Sequence, residues 1–284
     1  MKRQKLYFLI CLIYLLLVPV LINCSATDNN TIDPIKLTDS TTSCHSPDET
    51  KKVLLIGASY FFSLPQDLAG LAQSRNKDFF VDGIIIGGAL LDYHANNLLT
   101  EERIRSEHWD HVILQGVCTN AAFPETSAQI FPPYVSHPLV PSIQSLMTII
   151  EDNCDSTETI YQMPWAFEDG TIWLPGYNHS YFDMQQLIYD NVLAFANDLD
   201  FKVSPVGWAW NRVMSDRPGI KLFQSDFNHP SVKGAYLLAC VVYVSIYGES
   251  VVGSSYLGTL SLEEATYLQE VASSTVLDNL PLWN

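Results

Sequence analysis

Two short stretches, far apart in the chain, hold residue types that do nucleophilic acyl chemistry when brought together. The first is Gly57-Ala58-Ser59-Tyr60-Phe61, which directly follows an apolar run ending at Gly57. A serine at such a strand-to-helix turn stands on the carboxyl edge of a parallel sheet, where ligands of open α/β folds bind. Its N–H lies near a helix N-terminus, which favours negative charge on a reacting oxygen. The second is Asp226-Phe227-Asn228-His229-Pro230-Ser231, near the other end of the chain. A spacing of three in a turn lets a carboxylate meet Nδ1 of the imidazole while Nε2 faces outward toward a hydroxyl. That arrangement fixes the tautomer and stabilises the imidazolium formed as the hydroxyl gives up its proton.

The elements needed to position these residues are legible in the alternation of apolar runs. Val53 to Gly57, Phe80 to Ile86, Val112 to Gln115, Thr159 to Gln162 and Lys202 to Val206 read as five strands separated by helical patterns. Repeated βα units of this kind build a parallel sheet with helices on both faces. Ser180 and Asp183 form a capping box before Met184, Leu187, Ile188, Val192 and Phe195, which recur at helical spacing. Pro230 suits a first helical position and Gly248 a stop for the stretch Val232 to Tyr247, whose apolar character all round predicts deep burial. Ser261 and Glu264 open a last helix, which Pro281 keeps from extending.

The ordered blocks Gly57-Ala58-Ser59, Gly87-Gly88 and Asp226-x-x-His229-Pro230 resemble those of the SGNH/GDSL hydrolases, across about residues 52 to 250. The resemblance implies a three-layer α/β/α sandwich like flavodoxin, with strand order 2-1-3-4-5. It implies Ser59 as nucleophile, Asp226 and His229 as its triad partners, and backbone N–H groups of Ser59 and Gly88 as an oxyanion hole, Gly87 being the adjacent alternative. Two departures stand out. Ala58 occupies a place where Asp is commonest in the family. The family's Gly-x-Asn-Asp block reads here Gln115-Gly116-Val117-Cys118-Thr119-Asn120, so Asn120 or Gln115 is the candidate side-chain donor. The activity implied is hydrolysis of a carboxylic ester through an acyl-serine, with no metal or organic cofactor. Open beside it are a lipase or thioesterase, an O-acyltransferase, and a non-catalytic glycan-binding lipoprotein.

Aromatic residues follow the fourth and fifth strands: Trp165, Phe167, Trp173, Tyr177, Tyr181, Trp208 and Trp210. Trp165, Trp173 and Trp208 are candidates to stack on sugar rings, which makes a carbohydrate O-acetyl ester the preferred substrate. The formal net charge of −16 disfavours nucleic acid and anionic lipid surfaces as partners, leaving a neutral small-molecule or glycan ester. No histidine pair has the spacing of a metal site. His108 and His111 read as part of a solvated turn before the third strand.

Lys2, Arg3 and Lys5 followed by the apolar run Tyr7 to Ile22 are the n- and h-regions of an export signal, residues 1–23. Leu21-Ile22-Asn23-Cys24 resembles the lipobox of bacterial lipoproteins, with Asn23 in place of the usual small residue. Cys24 is thus the expected lipid attachment site, the only tie to a membrane and one that places the domain in the cell envelope. Residues 24–50, rich in Asp, Asn, Thr and Ser, read as a solvated tether, and residues 51–284 as the globular domain. Of six cysteines, Cys240 reads as a packed thiol and Cys118 with Cys154 as an eligible disulfide pair.

Overall fold

Five parallel strands form the sheet at the centre of the domain: β1 (Lys51–Gly57), β2 (Phe79–Ile85), β3 (His111–Gln115), β4 (Glu158–Gln162) and β5 (Lys202–Ser204). Their order is β2-β1-β3-β4-β5, the doubly wound order expected. The computed structural model describes residues 50–124, 138–172 and 176–284. Cys24, the expected export segment, the expected tether up to residue 49 and Trp173 lie outside the described residues. No helix among the described residues is long and apolar enough to cross a membrane.

The inner strands are buried because both faces of the sheet are covered. Leu54, Leu55 and Ile56 of β1 and Val112, Ile113 and Leu114 of β3 have no solvent exposure, as continuous apolar runs require in a parallel sheet. Helices α1 (Leu64–Ser74) and α8 (Val232–Tyr247) pack together on one side. On the other side, α2 (Leu91–Ala95) and α3 (Leu98–Arg105) pack against α5 (Leu139–Asn153), and α4 (Cys118–Ala122) packs against α6 (Tyr181–Leu199). Helix α7 (Val206–Asp216) touches both α6 and α8. The outer helix α9 (Leu262–Leu277) lies along α8. Thus α8 is enclosed by sheet and helices alike, which accounts for its apolar circumference.

The capping boxes at Ser180/Asp183 and Ser261/Glu264 both form. Some boundaries differ from expectation. Ser231, not Pro230, opens α8: its hydroxyl accepts the N–H groups of Lys233 and Gly234, while Pro230 pairs with Phe223 in a β-bridge. Val206 belongs to α7 rather than to β5, since Pro205 lacks the N–H to continue the ladder. Helix α9 ends at Leu277, before the prolyl restriction is reached, and Pro281 instead sits at the start of the short helix α10 (Leu280–Trp283). His111 is no part of a solvated turn; it is the buried first residue of β3, beside Glu158.

Cys118, Cys154 and Cys240 form no disulfide with one another. Cys118 follows the carboxyl end of β3 whereas Cys154 precedes β4, so parallel strands place them at opposite edges of the sheet. The Cys118–Cys154 pairing is therefore excluded by topology. Burial raises the Cys118 thiol to about 12, which leaves it protonated and inert.

Candidate active site

The carboxyl ends of β1 and β3 and the segment before α8 meet at one place. Beyond Gly57 the chain makes a single 3-10 turn, Ser59–Phe61, closed by the Phe61 N–H to Ala58 O at 3.0 Å and the Phe62 N–H to Ser59 O at 3.3 Å. Ser59 leads this turn, and no described residue accepts its N–H. Its Oγ lies 2.8 Å from His229 Nε2.

His229 is held by a tight loop. The Ser231 N–H bonds to Leu222 O at 2.7 Å and the Gln224 N–H to His229 O at 2.8 Å, so the chain runs out and back with Asp226, Phe227 and Asn228 at the tip. Within the tip, Asp226 Oδ1 accepts the N–H of Asn228 at 3.1 Å and of His229 at 3.0 Å. The second carboxylate oxygen, Oδ2, lies 2.6 Å from His229 Nδ1. A carboxylate accepts, so Nδ1 carries the proton, and Nε2 is left as the acceptor for the Ser59 hydroxyl. Burial raises the Asp226 carboxyl, but the hydrogen bonds from the His229 ring and the two N–H groups outweigh it and hold the group below its ordinary value. The histidine and aspartate side chains are 19% and 21% exposed, enough to be reached from outside. Ser59, His229 and Asp226, assembled from positions up to 170 residues apart, thus form one hydrogen-bonded line.

A donor site for a developing oxyanion has one clear part, the free N–H of Ser59. Gly88 lies on the exposed loop after β2, in a turn closed by the Ala89 N–H to Ile86 O at 3.0 Å. Its φ of +75° explains why glycine stands there, and no described residue accepts its N–H. Asn120 is buried on α4, just past the carboxyl end of β3. Gln115 is engaged within the protein at both ends of its amide. Its Nε2 donates to Gly116 O at 2.7 Å and its Oε1 accepts the Ala58 N–H at 2.7 Å, so both ends of the amide are occupied.

Two of the aromatic residues expected to face a sugar meet other rings. Trp165 is 1% exposed: its ring stacks on Trp210 with centroids 4.1 Å apart and lies 4.6 Å from the ring of Tyr60. Its Nε1–H donates to Asn228 O at 2.9 Å. Trp208, on α7, packs against Tyr189 of α6 with centroids 4.3 Å apart. Trp165 is corrected from a substrate-contacting to a packing residue, and Trp208 is half-buried. In each case, ring faces meet aromatic partners supplied by other segments. Sequence reasoning passed over Tyr60, whose hydroxyl donates to Asn228 Oδ1, and His94, which reaches Gly57 O. Both bonds join remote parts of the chain, and no local pattern announces them. Among the described residues, no group of three or more potential ligands has the arrangement to hold a metal ion.

No family model matches the chain, and no curated protein matches it. Solved structures do. A DUF4886 family protein from Bacteroides uniformis superposes with a TM-score of 0.66 at 20% identity, over 80% of this chain and 95% of that one. A candidate SGNH hydrolase from Slackia heliotrinireducens gives 0.54 at 21% identity, over 69% and 99%. A catalytic mutant of the acetylxylan esterase Axe2 from Geobacillus stearothermophilus gives 0.51 at 16% identity, over 70% and 95%. These likenesses establish the shared three-layer α/β/α fold.

Proposed function

We propose that the protein is a serine esterase of the SGNH/GDSL type, hydrolysing a carboxylic ester through an acyl-serine. The observation that carries this reading is the pair of contacts on one imidazole, Ser59 Oγ at 2.8 Å from Nε2 and Asp226 Oδ2 at 2.6 Å from Nδ1. His229 takes the Ser59 proton as Oγ attacks the ester carbonyl, and Asp226 stabilises the imidazolium. The carbonyl electrons move onto oxygen, to which the N–H of Ser59 and that of Gly88 donate hydrogen bonds. Collapse expels the alcohol, which takes its proton from His229. A water molecule then repeats the sequence on the acyl-serine: His229 accepts its proton, the carboxylic acid leaves, and the proton returns to Ser59 Oγ.

The preferred substrate is an O-acetyl ester on a neutral carbohydrate. Its support is the fold likeness to an acetylxylan esterase and the formal net charge of −16, which disfavours polyanionic substrates. Hydrolysis of p-nitrophenyl acetate, butyrate and octanoate, beside the Ser59→Ala variant, tests the reading. It predicts activity that is lost in the variant and declines with acyl length. Preference for octanoate would favour a lipase or thioesterase, and equal rates for both proteins would overturn the serine mechanism.

The site of action follows from the first residues of the chain. Export by residues 1–23 and lipid attachment at Cys24 would hold the enzyme in the cell envelope. Metabolic labelling with an alkyne-bearing fatty acid tests this. Label on the wild type that vanishes in Cys24→Ala is the expected result, and an unlabelled wild type would dismiss the anchor.

A further inference from the structure

We propose that His94 and Gln115 are positioning residues for Ser59, because between them they grip both polar ends of the peptide that links Gly57 to Ala58. The inference rests on reading Ser59 as the nucleophile. This peptide is the last fixed unit of β1 before the turn that carries the serine. Its carbonyl oxygen accepts the Ile86 N–H at 3.0 Å, as the strand ladder requires, and a second bond from His94 Nε2 at 3.1 Å. Its N–H, which the ladder no longer uses, is taken by Gln115 Oε1 at 2.7 Å.

Both side chains are 1% exposed, and a buried polar group is costly unless its bonds are made. Each is bonded at both of its polar ends. A carbonyl only accepts, so His94 Nε2 carries the proton, and Nδ1 accepts the Thr100 hydroxyl at 3.2 Å. Burial lowers the basicity of this ring against the opposing effects of Gly57 O and Asp92, which keeps it neutral and in that tautomer. For Gln115, the bond from Nε2 to Gly116 O at 2.7 Å fixes the amide so that the oxygen faces Ala58. Gly57 makes room for the grip. A Cβ there would come within 2.8 Å of both Gln115 Cβ and Gln115 Oε1.

From a fixed Gly57–Ala58 peptide, only two rotations remain before the peptide that bears the Ser59 N–H, the φ and ψ of Ala58 at −121° and −158°. Holding the first peptide therefore aims both the serine hydroxyl toward His229 and the serine N–H toward the place where an oxyanion forms. Neither His94 nor Gln115 touches the reacting atoms. Their effect is on alignment, and alignment enters the rate and not ground-state binding.

The test compares Gln115→Met and His94→Leu, which remove the grip, with Gln115→Glu and His94→Gln. The glutamate, protonated in that enclosed position, keeps an acceptor for Ala58, and the glutamine keeps a donor for Gly57. The readouts are kcat and KM on p-nitrophenyl acetate, the rate at which a fluorophosphonate modifies Ser59, and the melting temperature. The apolar variants should lose on the order of 10- to 100-fold in kcat and in phosphonylation with KM nearly unchanged, and the conservative pair should recover most of it. Folded apolar variants that react at the wild-type rate would overturn the inference, as would equal losses in the apolar and conservative pairs. Should the apolar variants not fold, Thr100→Val frees only the Nδ1 side of the ring. A several-fold slower phosphonylation then supports the inference, and an unchanged rate overturns it. A folded wild type that the fluorophosphonate leaves unmodified would remove the nucleophile assignment itself, and this inference with it. Reactive wild type with unimpaired variants would remove the inference alone.

Discussion

Tyr60, the residue after Ser59, donates its hydroxyl to the side chain of Asn228, the residue before His229. The two halves of the site, 168 residues apart, are thereby tied by the immediate neighbours of the reacting groups. The ring of Tyr60 also meets that of His229 edge-on, with centroids 5.5 Å apart. Trp165 adds to the tie by donating to the Asn228 carbonyl while its ring stacks on Trp210 and meets that of Tyr60 at a tilt. Asn228 is the handle by which the histidine loop is seated on the serine turn.

Removing one side of that handle should loosen the histidine without removing any reacting group. Tyr60→Phe leaves Asn228 Oδ1 unpaired and Trp165→Phe leaves its carbonyl unpaired. Each is expected to lower stability by about 1 kcal/mol. Each should also lower kcat several-fold with KM unchanged, measured on p-nitrophenyl acetate. A change confined to KM would contradict the alignment role.

Phe227 has φ of +65°, a backbone conformation that a bulky side chain adopts only when its surroundings enforce it. The Phe227 N–H to Gln224 O and the Glu168 N–H to Phe227 O bonds hold it there, and the turn it makes lets the Asp226 carboxylate face His229. Backbone shape, not the phenyl ring, is then what activity needs. Phe227→Gly should keep kcat within a few-fold of wild type, since glycine takes this φ freely. Phe227→Pro, confined to negative φ, should abolish turnover while leaving the far-ultraviolet circular dichroism of the domain in place. Equal activity of the two variants would refute the role of this conformation.

Acid stability has a specific source at the opposite edge of the sheet. His111 Nδ1 lies 3.2 Å from Glu158 Oε2, without the alignment of a hydrogen bond, and Lys202 Nζ lies 2.6 Å from Oε1. The His111 ring, against the opposing effect of burial and with the help of Lys202, brings the Glu158 carboxyl from its ordinary 4.5 to about 2. A carboxyl lowered in the folded state adds stability that is fully present above 4.5 and is lost as pH falls toward 2. Glu158→Gln should therefore flatten the pH dependence of urea unfolding within that window and leave its slope above it unchanged. The carboxylate is partly exposed, so solvent screening keeps the effect modest. Parallel curves for the two proteins throughout the window would show that Glu158 is not the source.

What could be read without coordinates was whatever neighbouring residues encode together. Apolar runs such as Val53 to Gly57 announce strands, the Ser180/Asp183 and Ser261/Glu264 boxes announce helix starts, and the three-residue step from Asp226 to His229 announces a turn that can pair them. The βα alternation announces a parallel sheet, and its strand order was what the family resemblance implied. Contacts between segments had no such signal. An aromatic residue after a strand end serves a ligand or the core equally well. For Trp165 the choice falls to Tyr60 and Trp210, whose positions only the folded chain reveals. Gln115 stood out only through the family resemblance, as a candidate donor, and its bond to Ala58 depends on how β3 lies beside β1. Cys118 and Cys154 were eligible as a pair by number alone, and parallel strands separate them.

The central claim is that Ser59 carries the acyl group during turnover, and trapping that group tests it most directly. Wild-type protein turning over p-nitrophenyl acetate would be quenched rapidly in acid, digested and mapped by mass spectrometry. An acetyl group on the peptide containing Ser59, absent in Ser59→Ala and chased away by time in the wild type, is the predicted result. Continued turnover by Ser59→Ala, or an acetyl group that accumulates on another residue, would contradict it.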